Sequence, residues 1–403
     1  MITVEQATNL IQQNVLSLPV AEVALSEATG KVLREPIFAD RDFPPFNRVA
    51  MDGIAIQYDT YKRGEDLFQI EGIQLAGAEP LTLQHADNCL EVMTGARLPF
   101  GTDTVIRYED LKIVDRGGVK YARIQEAPKA ALQNVHRQGS DRSAQDLLIT
   151  EGTFLMPAEI AIAATVGKLT LKVSAPPKVA IISTGDELVD ITDNPLPHQI
   201  RRSNAYMLQS ALQVQNIPAQ LFHLIDAKAL IEHELGKLLA EFDVLLLSGG
   251  VSKGKADFVP DALTALGVKK LFHQVAQKPG KPFWFGRKEV GPVVFALPGN
   301  PVSTFVCYYQ FVQPWLRECL GAKPVLKQKA ILTEEVIFKP NLTYFLPVQV
   351  SVGLSGMLQA KPLPNGGSGD LAALLEADGF LELPQQASVF SAGQVFSLLY
   401  FRS

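Results

Sequence analysis

The chain is poor in cysteine, histidine and tryptophan, with 3 Cys, 6 His and 2 Trp among 403 residues, and these scarcities close off several classes of protein. Cys89, Cys307 and Cys319 are widely spaced, form no Cys-x-x-Cys pair and cannot all pair with one another. They fit a packing role in a reducing compartment, not a disulfide framework. The histidines show no zinc spacing, and neither a Walker A nor a complete Gly-x-Gly-x-x-Gly pattern occurs, so P-loop ATPases and dinucleotide dehydrogenases lose support. No apolar run reaches the ~18 residues needed to span a bilayer, and Met1 to Gln6 carries no basic leader. The expectation is a cytoplasmic protein without membrane contact. Excess positive charge is absent too: 37 Lys plus Arg face 42 Asp plus Glu, a net charge of −5, which speaks against a nucleic-acid partner.

What is present is ordinary globular composition, 47% hydrophobic and 20% charged, long enough for two to four domains at roughly 100–200 residues each. Thr3 and Gln6 form a capping-box pattern ahead of an amphipathic helix carrying Ala7, Leu10, Ile11 and Val15. Residues 37–144 read as a small β-rich domain with strands near 53–58, 67–73, 88–93 and 104–108. Residues 1–36 and 145–175 form a discontinuous segment, with a short buried helix expected at Ile160–Gly167. After Pro176-Pro177 the rhythm becomes alternating strand and helix: strands at 178–183, 221–225, 244–247 and 293–297, helices at 204–214, at 230–242 with Leu230, Ile231, Leu235, Leu238 and Leu239 buried, and at 301–319 with an interruption near Pro314. This predicts a doubly wound, mostly parallel α/β domain over 176–323, with its ligand site at the C-terminal strand ends. Residues 324–403 alternate again, with strands at 330–338, 345–352, 379–383 and 395–401, and predict a small C-terminal β-barrel.

Several short motifs place glycine, carboxylate or lysine at strand ends and turns. In Ser248-Gly249-Gly250-Val251-Ser252, the glycines and the Ser252 hydroxyl either cradle an anion or form a plain β–α turn. In Ser183-Thr184-Gly185-Asp186-Glu187, the carboxylates follow the first parallel strand, and Asp257 follows the third. Singly each reads as a helix cap; jointly they read as hard oxygen ligands for Mg²⁺. Lys278 and Lys281 flank Pro279-Gly280 and either bind a phosphate or oxyanion or form a solvated turn. Pro298-Gly299-Asn300-Pro301 is a turn into a helix whose amides face the same edge. Asp52 and Thr94 lie in the β-rich domain, where turn hydrogen bonding is the plain alternative.

In this order, Ala50-Met51-Asp52-Gly53, Met93-Thr94-Gly95-Ala96, Ser183 to Leu188, Ser248 to Ser252 with Asp257, Lys278 to Pro282 and Leu297 to Pro301 resemble the molybdopterin molybdenumtransferase family, which includes the gephyrin E domain. The resemblance covers almost the whole chain. It implies insertion of molybdate into adenylylated molybdopterin, with release of AMP and a requirement for Mg²⁺. It also implies a homodimer whose site is shared between protomers, with contacts to the upstream molybdopterin adenylyltransferase and to apo-molybdoenzymes. The site residues carried over as catalytic are Asp52, Thr94, Asp141, Glu187, Asp257, Lys278 and Lys281. Ser183, Gly185, Asp186, Asp226, Gly249, Gly250, Ser252, Pro298, Gly299, Asn300 and Ser368 would bind the pterin nucleotide, and Asp186, Glu187 and Asp257 the metal.

The sequence departs from the family pattern at Arg48-Val49, where Asn-Ser is usual, at Ile54, across His136 to Asp141, at Arg202, and at Tyr344-Phe345-Leu346-Pro347, which lacks an expected arginine. Two other readings stand beside the main one: a molybdopterin adenylyltransferase, and a pterin-binding scaffold paralogue.

Overall fold

The four parallel strands expected after Pro177 are present in the computed structural model, which describes residues 1–250, 258–354, 356–364 and 367–402. The chain divides into two units: Met1–Glu35, Glu151–Ile160 and Leu169–Ser403 form one, and Pro36–Thr150 with Ala161–Lys168 the other.

The first unit is built on a six-stranded sheet in the order Ala219–Leu224, Val179–Thr184, Val244–Ser248, Val293–Leu297, Trp284–Arg287, Lys269–His273. The first four strands pair in parallel, and the last two are added through antiparallel pairings. Side chains alternate across a strand, and both faces here are covered. Val179, Ile181, Leu246 and Phe295 point into one core with the N-terminal helix. Ala180, Ile182, Leu245, Leu247 and Val294 point into the other. That double burial is why these strands read as continuous apolar runs. The antiparallel edge strands were not expected, because residues such as Lys269 and Lys270 dilute their apolar content.

Two helical expectations need correction. Helix Lys228–Glu241 buries Ile231, Leu235, Leu238 and Leu239, but Leu230, expected inside, is half exposed; it sits about 100° off that stripe. The helix expected at Ile160–Gly167 runs Pro157–Thr165 and buries only Ala163. The interruption expected near Pro314 in the long helix from Pro301 takes the form of a π-helical turn, Tyr308–Val312, immediately before Gln313–Cys319. Pro314 cannot donate to the carbonyl of residue 310 and would clash with it, and the wider turn absorbs the mismatch. At the N-terminus the capping box forms as read: Gln6 N–H donates to Thr3 Oγ1 and Thr3 N–H to Gln6 Oε1.

The C-terminal strands close into a small barrel. Thr343–Val352 pairs with Leu358–Pro362 on one side and Gly379–Leu383 on the other, and Gln328–Leu332 and Val395–Tyr400 complete the ring. The single strand expected over 330–338 is split into Gln328–Leu332 and Val336–Ile337. A two-residue strand, Gln277–Lys278, pairs in parallel with Thr343–Tyr344 and joins the α/β part to the barrel.

The second unit holds a sheet ordered Thr104–Arg107, Gly53–Ile56, Asn88–Val92, Leu67–Gln74, Val119–Ile124, Leu111–Arg116. Four of these strands were expected; the hairpin turning at Gly117-Gly118 was not. The strand expected to run to Tyr58 stops at Ile56, and a short helix, Tyr58–Lys62, begins where Tyr58 N–H meets the Asp103 carboxylate at 2.8 Å. Among the described residues, no helix is long and apolar enough to cross a membrane.

Candidate functional site

Parallel register brings the predicted turns to one edge. Ser183 lies opposite Ser248, Ser248 opposite Leu297, and Thr184 opposite Leu224, so Gly185, Ile225, Gly249 and Pro298 step off the sheet side by side. Strand Val179–Thr184 has Ala219–Leu224 on one side and Val244–Ser248 on the other. This reversal of strand order opens the crevice in which such sheets bind ligands.

Local contacts hold this edge. The Asp186 carboxylate accepts Asp226 N–H at 2.9 Å, and His223 Nε2 meets the Gly185 carbonyl at 3.0 Å, so the two neighbouring loops are clamped together. Asp186 is therefore not a helix cap: helix Ser203–Gln213 follows Arg202 with no side-chain cap. Asp186 and Glu187 are exposed, while Ser183 is buried in the strand. Gly249 (φ +99°) and Gly250 (φ +66°) occupy left-handed backbone, and a Cβ at either would come within 3.0 or 2.7 Å of Thr184 Oγ1. Glycine lets the turn pass over that hydroxyl. Ser252 and Asp257 lie outside the described residues.

Two residues here escaped sequence reasoning. Thr184 Oγ1 is buried without a partner among the described residues, and so is Asn204 Oδ1. The Asn204 amide donates to the Gly299 carbonyl at 2.7 Å and to Ser248 Oγ at 2.9 Å, bracing two of the ligand-edge turns. Buried polar atoms are normally paired, so these two acceptors mark the crevice as a place for a donor-bearing ligand. The signal available in sequence was only the adjacency of Thr184 to Ser183 and of Asn204 to the departure at Arg202.

Beside this edge, within the same unit, lies a cavity of about 440 Å³. Lys278, Lys281, Gly299, Asn300 and Ser368 line it, with Phe345 among its apolar walls, and no Asp or Glu lines it among the described residues. Lys278 is fixed by its pairing with Tyr344, and its ammonium sits 5.7 Å over the Phe338 ring. Gly280 has φ +93°, and a Cβ there would meet Gln277 Nε2 at 2.6 Å and Cys307 Sγ at 2.7 Å. Asn300 donates to Ser368 Oγ at 2.8 Å and Val302 N–H to the Ser368 carbonyl at 3.1 Å. Two cations in a mostly apolar cavity suit a small oxyanion. Phe345 and Pro347, in the segment lacking the family's arginine, supply apolar wall.

In the second unit, Asp52 and Thr94 bond to each other. Thr94 N–H at 2.6 Å and Thr94 Oγ–H at 2.7 Å both reach Asp52 Oδ1, and they hold the carboxyl below the usual carboxylate range. Asp141 lies apart from this pair in the hydrogen-bond network: its Oδ1 meets His136 Nε2 at 2.8 Å and Ser140 Oγ at 3.3 Å. His136 Nδ1 in turn meets Arg48 Nη2 at 3.0 Å.

Comparison with known proteins accounts for nearly the whole chain. Residues 2–167 match the MoeA N-terminal region (domain I and II), residues 180–318 a probable molybdopterin binding domain, and residues 329–401 the MoeA C-terminal region (domain IV). The chain is 40% identical to a molybdopterin molybdenumtransferase of Synechocystis sp. over 400 residues, covering 98% of this chain and 99% of the relative. It is 30% identical to one from Haemophilus influenzae over 403 residues, covering 99% and 98%. Among solved structures, the molybdopterin biosynthesis moeA protein from Pyrococcus horikoshii OT3 superposes with a TM-score of 0.84 at 28% identity, over 99% of this chain and 100% of that one.

Proposed function

The chain belongs to the molybdopterin molybdenumtransferase family, and from that premise we propose how its residues insert molybdate into adenylylated molybdopterin with release of AMP. The cavity carries the reading: two lysines share it with Asn300 and Ser368, and among the described residues no lining carboxylate opposes them. Lys278 and Lys281 hold the tetrahedral oxyanion by charge-assisted hydrogen bonds. The crevice between the ends of Val179–Thr184 and Val244–Ser248 takes the pterin nucleotide, with Thr184 and Asn204 offering their unpartnered oxygens to its N–H and O–H groups.

The donor set at this edge fits Mg²⁺. Among the described residues no three acidic, histidine or cysteine side chains converge on one point, but Mg²⁺ usually takes only one or two protein carboxylates together with substrate phosphate oxygens. Asp186 and Glu187 would hold it; Asp257, carried over as a third ligand, lies outside the described residues. When bound, the ion neutralises charge on the phosphate linkage that is cleaved. The chain's own part is to fix that linkage beside the lysine-held oxyanion, because orientation supplies much of such a barrier reduction.

We further propose that Asp52, Thr94 and Asp141 act from the second protomer of a homodimer, in the cytoplasm, where three buried free thiols stay reduced. Contact with a molybdopterin adenylyltransferase upstream and apo-molybdoenzymes downstream would pass the unstable pterin on. The match of all three family models, barrel included, favours the transferase over the adenylyltransferase or scaffold readings.

The test is purified protein given molybdate, Mg²⁺ and adenylylated molybdopterin. AMP release together with reconstitution of an apo-molybdoenzyme supports the reading, and failure of both rejects it. For the shared site, Asp52→Ala and Lys281→Ala proteins, each inactive alone, should regain activity when mixed and allowed to exchange subunits. No recovery despite exchange would place the site within one protomer.

A further inference from the structure

We infer that His136 is a positioning residue for Asp141 and that Arg48 selects the imidazole tautomer that makes it one. The inference deepens the reading above, since it takes Asp141 as a site residue. It starts from a chain of three side chains: Arg48 Nη2 lies 3.0 Å from His136 Nδ1, and His136 Nε2 lies 2.8 Å from Asp141 Oδ1.

A guanidinium only donates, and an ionised carboxylate only accepts. A ring between the two has a single arrangement that satisfies both. Nδ1 is the bare acceptor facing Arg48, and Nε2 carries the hydrogen that Asp141 accepts. The geometry thus selects the Nε2–H tautomer, because a hydrogen on Nδ1 would face the guanidinium N–H directly. An unconstrained neutral histidine exchanges between tautomers; here one end is fixed by a donor and the other by an acceptor.

The backbone builds this chain in. Arg48–Val49 and Val135–His136 pair antiparallel, with His136 directly opposite Arg48. Asp141 follows on a turn whose own N–H is held by the Phe43 carbonyl at 2.9 Å and whose carbonyl accepts from Arg142 Nη1 at 2.7 Å. With the main chain pinned on both sides of its Cα, the remaining freedom of Asp141 is rotation of its carboxylate. His136 Nε2–H and the Ser140 hydroxyl, at 2.8 and 3.3 Å, both engage Oδ1, which fixes that rotation. Holding a reactive group through a second residue of this kind typically contributes 10- to 100-fold.

The decisive measurement is the ring-nitrogen spectrum of ¹⁵N-histidine-labelled protein at mildly alkaline pH, with the His136 signals assigned by their loss in a His136→Gln variant. The expected result is a protonated Nε2 and a bare Nδ1 in the wild type, with the Nδ1 signal shifted in Arg48→Ala as it loses its donor. A protonated Nδ1 in the wild type, or an unchanged spectrum in Arg48→Ala, overturns the inference. Kinetics supply the second arm. His136→Gln keeps an N–H that reaches Asp141 and should retain most of kcat for AMP release, whereas His136→Ala should lose about 10- to 100-fold in kcat with KM little changed. Equal activity of His136→Ala and wild type, or equal loss in the two variants at equal thermal stability, also overturns it. If the wild type releases no AMP, it is the functional reading that fails, and the ring-nitrogen spectrum alone then decides the positioning claim.

Discussion

The Asn300 side-chain amide donates a 2.8 Å hydrogen bond to Ser368 Oγ, so the turn leaving the last parallel strand is tied to a loop of the C-terminal barrel across the wall of the lysine-bearing cavity. Removing either partner leaves the other without this bond, and a single such bond contributes about 0.5–1.5 kcal/mol. Asn300→Ala and Ser368→Ala should each lower kcat/KM for AMP release by up to about tenfold. In the double variant the losses should fall short of additive, with a coupling of about 0.5 kcal/mol or more. Strictly additive losses would mean that the two residues serve the site independently.

The lysines should behave as oxyanion ligands and not as surface charge. A charge-assisted hydrogen bond contributes about 1.5–3 kcal/mol, which corresponds to roughly 10- to 150-fold. Lys278→Met and Lys281→Met should therefore raise the molybdate concentration needed for half-maximal rate by about that factor, with thermal stability little changed since both side chains are exposed. A rate indifferent to both changes would remove the cavity from the reaction.

The same turn sets a structural demand. At Gly280 a methyl group would need left-handed backbone and would come 2.6 Å from Gln277 Nε2 and 2.7 Å from Cys307 Sγ, both on buried side chains. Gly280→Ala should cost about 1–3 kcal/mol, seen as a lowered denaturation midpoint, and should weaken molybdate use because the Lys278–Lys281 spacing shifts. A variant as stable as the wild type would show that this turn has slack.

How much of this was legible in the sequence depends on whether a residue's role is local. The parallel strands declared themselves because a strand buried on both faces has to be apolar throughout, as Val244 to Leu247 are. The Lys278–Lys281 turn and Pro298 to Asn300 were visible because Pro and Gly restrict local geometry, and the structure brings both into one cavity with Ser368. Thr184 and Asn204 were not visible: what distinguishes them is one buried oxygen each, Thr184 Oγ1 and Asn204 Oδ1, without a hydrogen-bond partner among the described residues, which tertiary neighbours create. Arg48 and His136 were read only as departures, 88 positions apart; the antiparallel register that joins them has no local signature. Leu230 and the edge strand Lys269–His273 went astray because apolar pattern marks a stripe poorly at its border and an edge strand poorly where lysines intrude.

The three thiols should be silent in the native protein. Burial pushes the Cys319 thiol up to about 12, and Cys89 and Cys307 are also raised by burial. The thiolate is the reactive form, so at neutral pH alkylation should wait for unfolding. All three cysteines should label in denaturant and none on the native timescale. Rapid labelling of any of them in folded protein would contradict the packing role.

The Asp52–Thr94 pair yields a pH dependence with a definite sign. Two donors from Thr94, first the backbone N–H and then the hydroxyl, lower the Asp52 carboxyl below its ordinary range. A carboxyl whose folded-state value is depressed stabilises the fold fully above its unfolded value, about 3.9, and loses that contribution as pH falls through the folded value. The turn should therefore hold unchanged from neutral pH down to about pH 4 and weaken only below it. Thr94→Val removes the hydroxyl but keeps the backbone donor, so the Asp52 midpoint, followed by carboxyl ¹³C NMR, should rise toward the free value without reaching it. The acid limb of the unit's stability should move up in pH along with it. If the midpoint in Thr94→Val equals the wild-type value, the hydroxyl bond contributes nothing; if it reaches the free value, the backbone bond is not formed in solution. Only an intermediate midpoint matches two donors converging on Asp52 Oδ1.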